Sequence, residues 1–77
     1  GASTMEIQIG RRGYTVESTY SKVNNWGQPQ VWTNLKGKNG ADVVLCETTS
    51  ENGVSAKLIH MGRRSPLETI DPSLIKR

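Results

Sequence analysis

The sequence predicts a mainly β protein: a small antiparallel five-strand barrel or strongly bent sheet, followed by a short C-terminal helical turn. Two Asn-Gly pairs, Asn39-Gly40 and Asn52-Gly53, are the main evidence. Asn-Gly favours a two-residue type I′ turn, because both central positions of that turn need positive φ. Each pair is flanked by segments in which apolar and polar residues are mixed at strand-like spacing. The middle of the chain is therefore predicted to form three consecutive antiparallel strands.

The individual strands follow from alternation and from β-branched or aromatic residues. Met5, Ile7 and Ile9 alternate with polar residues, and Gly10-Arg11-Arg12-Gly13 then forms a turn or a bulge. Pro29 cannot donate to a ladder, so it lies at a strand start or edge. The predicted strands cover residues 5–9, 14–23, 30–36, 41–49 and 54–61. In the second of them, simple alternation puts four residues on one face: Tyr14, Val16, Ser18 and Tyr20.

The C-terminal segment predicts one or two helical turns. Ser65, Pro66 and Glu68 have the spacing of an N-cap, a first helical residue and the third residue of a capping box. Pro72 ends any such helix, and Asp71 offers a second helical start. Four apolar residues could cover one open end of the sheet: Leu67, Ile70, Leu74 and Ile75. By architecture only, this pattern is typical of SH3-like, Sm-like and OB-like barrels.

Length and composition predict one small domain. The chain has 77 residues, of which 34% are hydrophobic and none is Phe, so its core is small. Self-association often stabilises domains of this size, which makes a homo-oligomer a candidate state. Residues 1–4, which precede Met5, have the composition of an expression-tag remnant. The predicted domain therefore spans residues 5–77.

Cysteine usage predicts a reducing compartment. Cys46 is the one cysteine, so no disulfide can form within the chain, whereas small secreted domains usually carry several. There is no apolar run near the length of about 18 residues that spans a bilayer, and no signal-peptide pattern. We expect a cytoplasmic protein with no membrane partner.

Catalysis, metal binding and cofactor binding have no support in the sequence. A Cys46–His60 pair could activate a thiolate, but reflection about Asn52-Gly53 puts His60 opposite Leu45 and turns Cys46 to the other face. One Cys and one His do not fill a tetrahedral zinc site. The segment Gly10 to Gly13 lacks the lysine, the hydroxyl residue and the helix of a phosphate loop. We expect no enzyme and no cofactor.

Exposed aromatic and arginine residues favour a protein-interaction or regulatory module that is not catalytic. Trp26 lies in a loop of Asn, Gly, Gln and Pro residues, and Tyr20, Arg11 and Arg12 are the other predicted partner-binding residues. Trp, Tyr and Arg dominate the energetics of interfaces. The expected partner is another protein or a second copy of the chain, and an exposed edge strand would allow strand addition.

Nucleic-acid binding is the alternative. DNA or RNA would be held by cationic side chains on its phosphates and by aromatic stacking on its bases. The net charge of +3 is only mildly basic, and acidic residues are interspersed. The candidate residues are Arg11, Arg12, Lys36, Lys38, Arg63 and Arg64, with Trp26 or Tyr20 for stacking. The alternative depends on whether these groups share one surface.

Overall fold

The computed structural model describes residues 5–77 as one curled antiparallel sheet of seven strands, a half-barrel. The strand order across the sheet is β6-β5-β4-β3-β2-β1-β7. The tag assignment of residues 1–4 lies outside the described residues. The strands are β1 (Glu6–Ile9), β2 (Arg12–Val23), β3 (Pro29–Gly37), β4 (Asp42–Ser50), β5 (Gly53–His60), β6 (Leu67–Ile70) and β7 (Ile75–Lys76). The first five correspond to the five predicted strands, and β6 and β7 are additional.

Both Asn-Gly segments reverse the chain, which confirms the three consecutive strands, but neither forms the predicted type I′ turn. Gly40 and Gly53 have φ of 85° and 116°, whereas no residue other than glycine within 5–77 has positive φ. In the first turn, the Gly40 N–H donates to the carbonyl of Gly37 at 3.0 Å. Each glycine is therefore the left-handed residue that follows a tight turn, as in hairpins with a glycine bulge.

This turn geometry changes the register of β4 against β5. Gly53 pairs with Ser50, so Gly53 is the first residue of β5 rather than part of the loop. His60 consequently pairs with Val43 instead of the predicted Leu45. Because the shift is of two residues, each side chain keeps its predicted face of the sheet.

A bulge in β2 corrects the predicted faces of that strand. The pairing with β3 skips Glu17, between Val16 and Ser18. One unpaired residue reverses the faces of all residues beyond it. Tyr14 therefore points into the core, whereas Tyr20 lies on the outer side of the sheet.

The core fills the inside of the curl. Its largest fully buried side chains are Ile9, Leu35, Leu45 and Leu58, one each from β1, β3, β4 and β5. Each contributes about 1.5–3 kcal/mol by leaving water. The other buried members of this cluster are Ile7, Tyr14, Val43, Ala56 and Ile70.

The prediction of one or two helical turns that begin at Ser65 is wrong. The capping pattern at Ser65 to Glu68 lies at the start of β6, whose residues pair with β5, and Ile70 is buried there. The 3₁₀ turn Pro72–Leu74 is the one helical element of residues 5–77; Asp71 caps it by accepting from the N–H of Ser73 at 3.0 Å. Of the four apolar residues, Ile70 and Ile75 reach the core, and Leu67 and Leu74 stay exposed. Residues 5–77 contain no helix of the length and apolarity that crossing a bilayer by a helix requires.

Candidate functional site

Three strand connections meet at one end of the half-barrel and form a cationic rim, which we call the basic mouth. Arg11 comes from the β1–β2 turn, Arg12 from the start of β2, Lys38 from the β3–β4 turn and Arg63 from the β5–β6 loop. Alternate connections of an antiparallel meander lie at the same end of the sheet, which brings these distant residues together. They surround one cavity of about 340 Å³.

The inner wall of the basic mouth consists of buried sheet residues. Tyr14, Val43 and His60 line it. Gly13 leaves space for the end of Lys38, because a Cβ there would lie 3.2 Å from Cε and 3.6 Å from Nζ of the lysine. The Lys38 ammonium is thus held close to the backbone of β2. An apolar wall behind cationic groups strengthens their field.

Glu68 is the carboxylate next to the basic mouth, and it is already paired. Arg12 donates to both of its oxygens, at 3.1 and 2.9 Å, and His60 Nε2 lies 2.7 Å from Oε1. An ionised carboxylate only accepts, so Nε2 carries the proton of that hydrogen bond. The hydrogen bonds from Arg12 and then His60 lower the pKa of Glu68 to about 2. The Glu68 carboxylate in turn raises the pKa of Arg12 above its ordinary value.

The outer side of the sheet carries a second feature, which we call the aromatic face: Tyr20, Trp32, Cys46, Ile59 and Leu67, with Trp26 from the β2–β3 loop. Tyr20 and Trp32 pair across β2 and β3, and their rings stack with centroids 6.4 Å apart and planes 8° from parallel. Lys22 Nζ lies 4.7 Å from the Trp32 centroid, within cation–π range.

Hydrogen bonds along the sheet hold Trp32 in place. Its Nε1 donates to Gln30 Oε1 at 3.1 Å, and Gln30 Nε2 donates to Thr48 Oγ1 at 3.1 Å. The stacked ring on one side and this chain on the other leave the indole little rotational freedom.

The loop that carries Trp26 is ordered by Asn24. The Asn24 Oδ1 accepts from the N–H groups of Trp26 and Gln28, at 3.0 and 2.9 Å, and its Nδ2 donates to Gln28 Oε1 at 2.9 Å. Two backbone hydrogen bonds, each 3.0 Å long, close the loop between Asn24 and Gln28 and between Gly27 and Asn24. The ordered loop does not bury Trp26 in the core, because 81% of this residue is exposed.

A cleft of about 380 Å³ runs between the loop and the sheet on the aromatic face. Trp26, Trp32, Ile59 and Leu67 supply its apolar lining, and Leu67 is 64% exposed. Polar residues such as Lys57 and Gln28 line the rest. An aromatic centre within a polar margin is the usual composition of a protein-binding surface.

The structure divides the sequence-predicted site residues between these two surfaces. Trp26 and Tyr20 belong to the aromatic face, whereas Arg11 and Arg12 lie at the basic mouth, at the end of the sheet opposite the Trp26 loop. Of the nucleic-acid candidates, Lys38 and Arg63 join Arg11 and Arg12 in one cavity. Two others lie elsewhere: Lys36, whose Nζ is 2.8 Å from Asp42 Oδ1, and the exposed Arg64.

Sequence reasoning missed the residues that complete each surface. Trp32 and Ile59 fall on predicted strands and are not among the predicted partner-binding residues, and Leu67 falls in the predicted helical turns. Trp32 pairs with Tyr20 because the bulge at Glu17 shifts the register of β2 against β3. Simple alternation along β2 does not reveal this pair. The sequence indicates one role for His60, as a partner of Cys46, and does not indicate its contact with Glu68.

Cys46 and His60 lie on opposite faces of the sheet, paired with Lys57 and Val43 respectively. Residues 5–77 contain no group of three His, Cys, Asp or Glu side chains that could hold a metal ion.

Comparison of the chain with known protein families, curated proteins and solved structures gives no match.

Proposed function

We propose that the protein is a non-catalytic protein-interaction module and that the aromatic face is its contact surface. The observation that carries this proposal is Trp26, a large apolar side chain kept in water by an ordered loop. Covering an aromatic side chain removes about 150–250 Å² from water. At about 25 cal/mol per Å², this is several kcal/mol that only a partner can gain.

Preorganisation supports the same proposal. The hydrogen bonds of Asn24 fix the Trp26 loop, and the stack with Tyr20 fixes Trp32, so binding orders few side chains. Ordering mobile side chains on binding opposes association, so the preordered Trp26 and Trp32 should bind a partner more tightly than mobile tryptophans would. The cleft between the two tryptophans gives room for an apolar side chain of the partner.

A second copy of this chain is one such partner. The core is small, and β6 is an edge strand whose outer backbone groups have no neighbour in the sheet of residues 5–77. Leu67 lies both on this edge and in the cleft. Pairing of the β6 strands of two copies would cover the exposed Leu67 side chains and provide hydrogen-bond partners for the outer backbone groups of both β6 strands.

Replacement of Trp26 tests the proposal. Trp26→Ala should keep its fold, because the indole is exposed, and should weaken association by more than about tenfold, or ~1.4 kcal/mol. Sedimentation equilibrium measures self-association, and affinity capture measures other partners. Val54→Ala is the control, because Val54 is half exposed but lies on the other side of the sheet. Unchanged association in a folded Trp26→Ala protein would contradict the proposal.

Nucleic-acid binding is the weaker candidate. A cationic track beside stacking aromatics needs both on one surface, and here the Trp26 loop and the basic mouth are at opposite ends of the sheet. Lys36 is already paired with Asp42, which raises the pKa of the lysine. A gel-shift titration at low salt tests this alternative, since phosphate contacts would make binding steeply salt-dependent.

A further inference from the structure

We propose that the basic mouth binds a compact anion with two phosphate groups in succession, either inorganic diphosphate or the diphosphate of a nucleotide. This site is separate from the aromatic face, so the inference goes beyond the proposed interaction function and does not depend on it. Cationic side chains, rather than a glycine-rich phosphate loop, would hold the ligand.

The charge around the cavity favours an anion. Among residues 5–77, Arg12 is the one cation of the four at the basic mouth that forms an ion pair, with Glu68. Within residues 5–77, no carboxylate lies within ion-pair distance of Arg11, Lys38 or Arg63. The Glu68 carboxylate is directed at Arg12 and His60 instead, from which it accepts three hydrogen bonds. Three unpaired cations thus face one cavity, where their repulsion opposes folding unless an anion binds.

The backbone fixes where these cations start. Arg11 follows Gly10, and Arg63 follows Gly62, and both glycines have positive φ, 64° and 81°. Residues other than glycine rarely adopt a positive φ, so the conformation of each turn depends on its glycine. Lys38 is placed differently: the end of its flexible side chain lies over Gly13.

The size of the cavity and its closed inner wall favour a small ligand over a polymer. A volume of about 340 Å³ is at the lower end of small-molecule sites. Tyr14, Val43 and His60 close the inner wall. A single phosphate carries fewer charges than the three free cations can pair with, whereas a diphosphate matches them. Arginine also binds phosphate oxygens through two parallel hydrogen bonds.

Calorimetric titration of the 77-residue protein at physiological ionic strength tests the proposal. The probes are inorganic diphosphate, orthophosphate, ADP and AMP. We expect diphosphate to bind at least about tenfold more tightly than orthophosphate, and ADP to exceed AMP by a similar factor. ADP that binds as tightly as diphosphate identifies a nucleotide as the source, and ADP that binds about tenfold more weakly identifies free diphosphate. Both outcomes support the diphosphate site.

Two matched pairs of variants locate the site. Arg63→Ala should weaken diphosphate binding by about tenfold, whereas Arg64→Ala removes the same charge from a neighbouring position outside the cavity and should change it by less than about twofold. In the second pair, Lys38→Ala should weaken diphosphate binding, whereas Lys36→Ala should not, because Lys36 lies outside the cavity and is paired with Asp42. Gly13→Ala should also weaken binding while the fold is kept, because the new Cβ displaces the flexible end of Lys38.

Three results would overturn the proposal. The first is the absence of diphosphate binding by the folded wild-type protein. The second is equal loss in the Arg63 and Arg64 variants, which would indicate a diffuse charge effect. The third is binding of a single-stranded oligonucleotide without binding of diphosphate, which would assign the cations to nucleic acid. None of these results bears on Trp26, so the two proposals fail separately.

Discussion

Glu68 connects parts of the molecule that are far apart in the chain. It lies on β6, at one margin of the sheet, and binds Arg12 of β2 and His60 of β5. β2 and β6 share no ladder, so this ion pair spans the curl of the half-barrel. His60 is only 6% exposed, and a buried imidazole without a partner would be costly.

The lowered pKa of Glu68 predicts an acid-sensitive contribution to stability. The carboxyl protonates near pH 4.5 at its ordinary value but near pH 2 in the folded protein. The contribution is therefore complete above about pH 4.5 and is lost as the pH falls towards 2. Because the side chain is 39% exposed, solvent screening limits it to about 1 kcal/mol.

Urea unfolding followed by tryptophan fluorescence between these pH values measures the effect. Glu68→Gln should have a lower unfolding free energy at neutral pH and a flatter decline in acid than the wild type. Thr69→Ala, an exposed change on the same strand, should keep the wild-type decline. Parallel acid curves for wild type and Glu68→Gln would contradict the assignment.

Individual site residues were predictable where exposure followed from local sequence. Trp26 could be identified because its loop residues favour positive φ and turns. Arg11 and Arg63 could be identified as cations, but not as neighbours, because their meeting depends on which ends of which strands share one side of the curl. Tyr20 was identified, yet its partner Trp32 depended on a bulge at Glu17 that no local pattern marks.

At the scale of the elements, hairpin signals predicted the strands better than capping signals predicted the helix. Asn-Gly favours reversal in more than one turn type, so the three central strands form although the turn type differs. The capping pattern at Ser65 to Glu68 is followed by only three residues before Pro72, too few for a stable helix. Pairing with β5 and burial of Ile70 stabilise a strand instead.

The turn geometry makes a direct prediction for the β4–β5 hairpin. Gly53 has φ of 116° and Asn52 does not have positive φ. Gly53→Ala should therefore lower the unfolding free energy by about 1–2 kcal/mol, the cost of a left-handed conformation for an L residue. Asn52→Ala should cost well under ~1 kcal/mol. Thermal unfolding of both variants measures the difference, and equal losses would indicate a type I′ turn in solution.

At the scale of the whole molecule, the meander separates two surfaces. Connections that join β1–β2, β3–β4 and β5–β6 collect cations at one end, and the β2–β3 loop presents Trp26 at the other. Composition alone shows a mild net charge of +3 with interspersed acids. The fold concentrates this charge, because no Asp or Glu of residues 5–77 lines the cavity of the basic mouth and Glu68 beside it is paired with Arg12.

This concentration of charge predicts that the basic mouth opposes folding in the absence of an anion. Neutralising one of its unpaired cations should relieve repulsion, so Arg63→Gln should raise the unfolding free energy by roughly 0.5 kcal/mol at low ionic strength. The gain should disappear in high salt, where screening acts over about 3 Å. Arg64→Gln removes the same charge outside the cavity and should have a smaller effect. Urea unfolding at low and high salt measures both, and equal gains in the two variants, or a loss in Arg63→Gln, would show that the mouth carries no net repulsion.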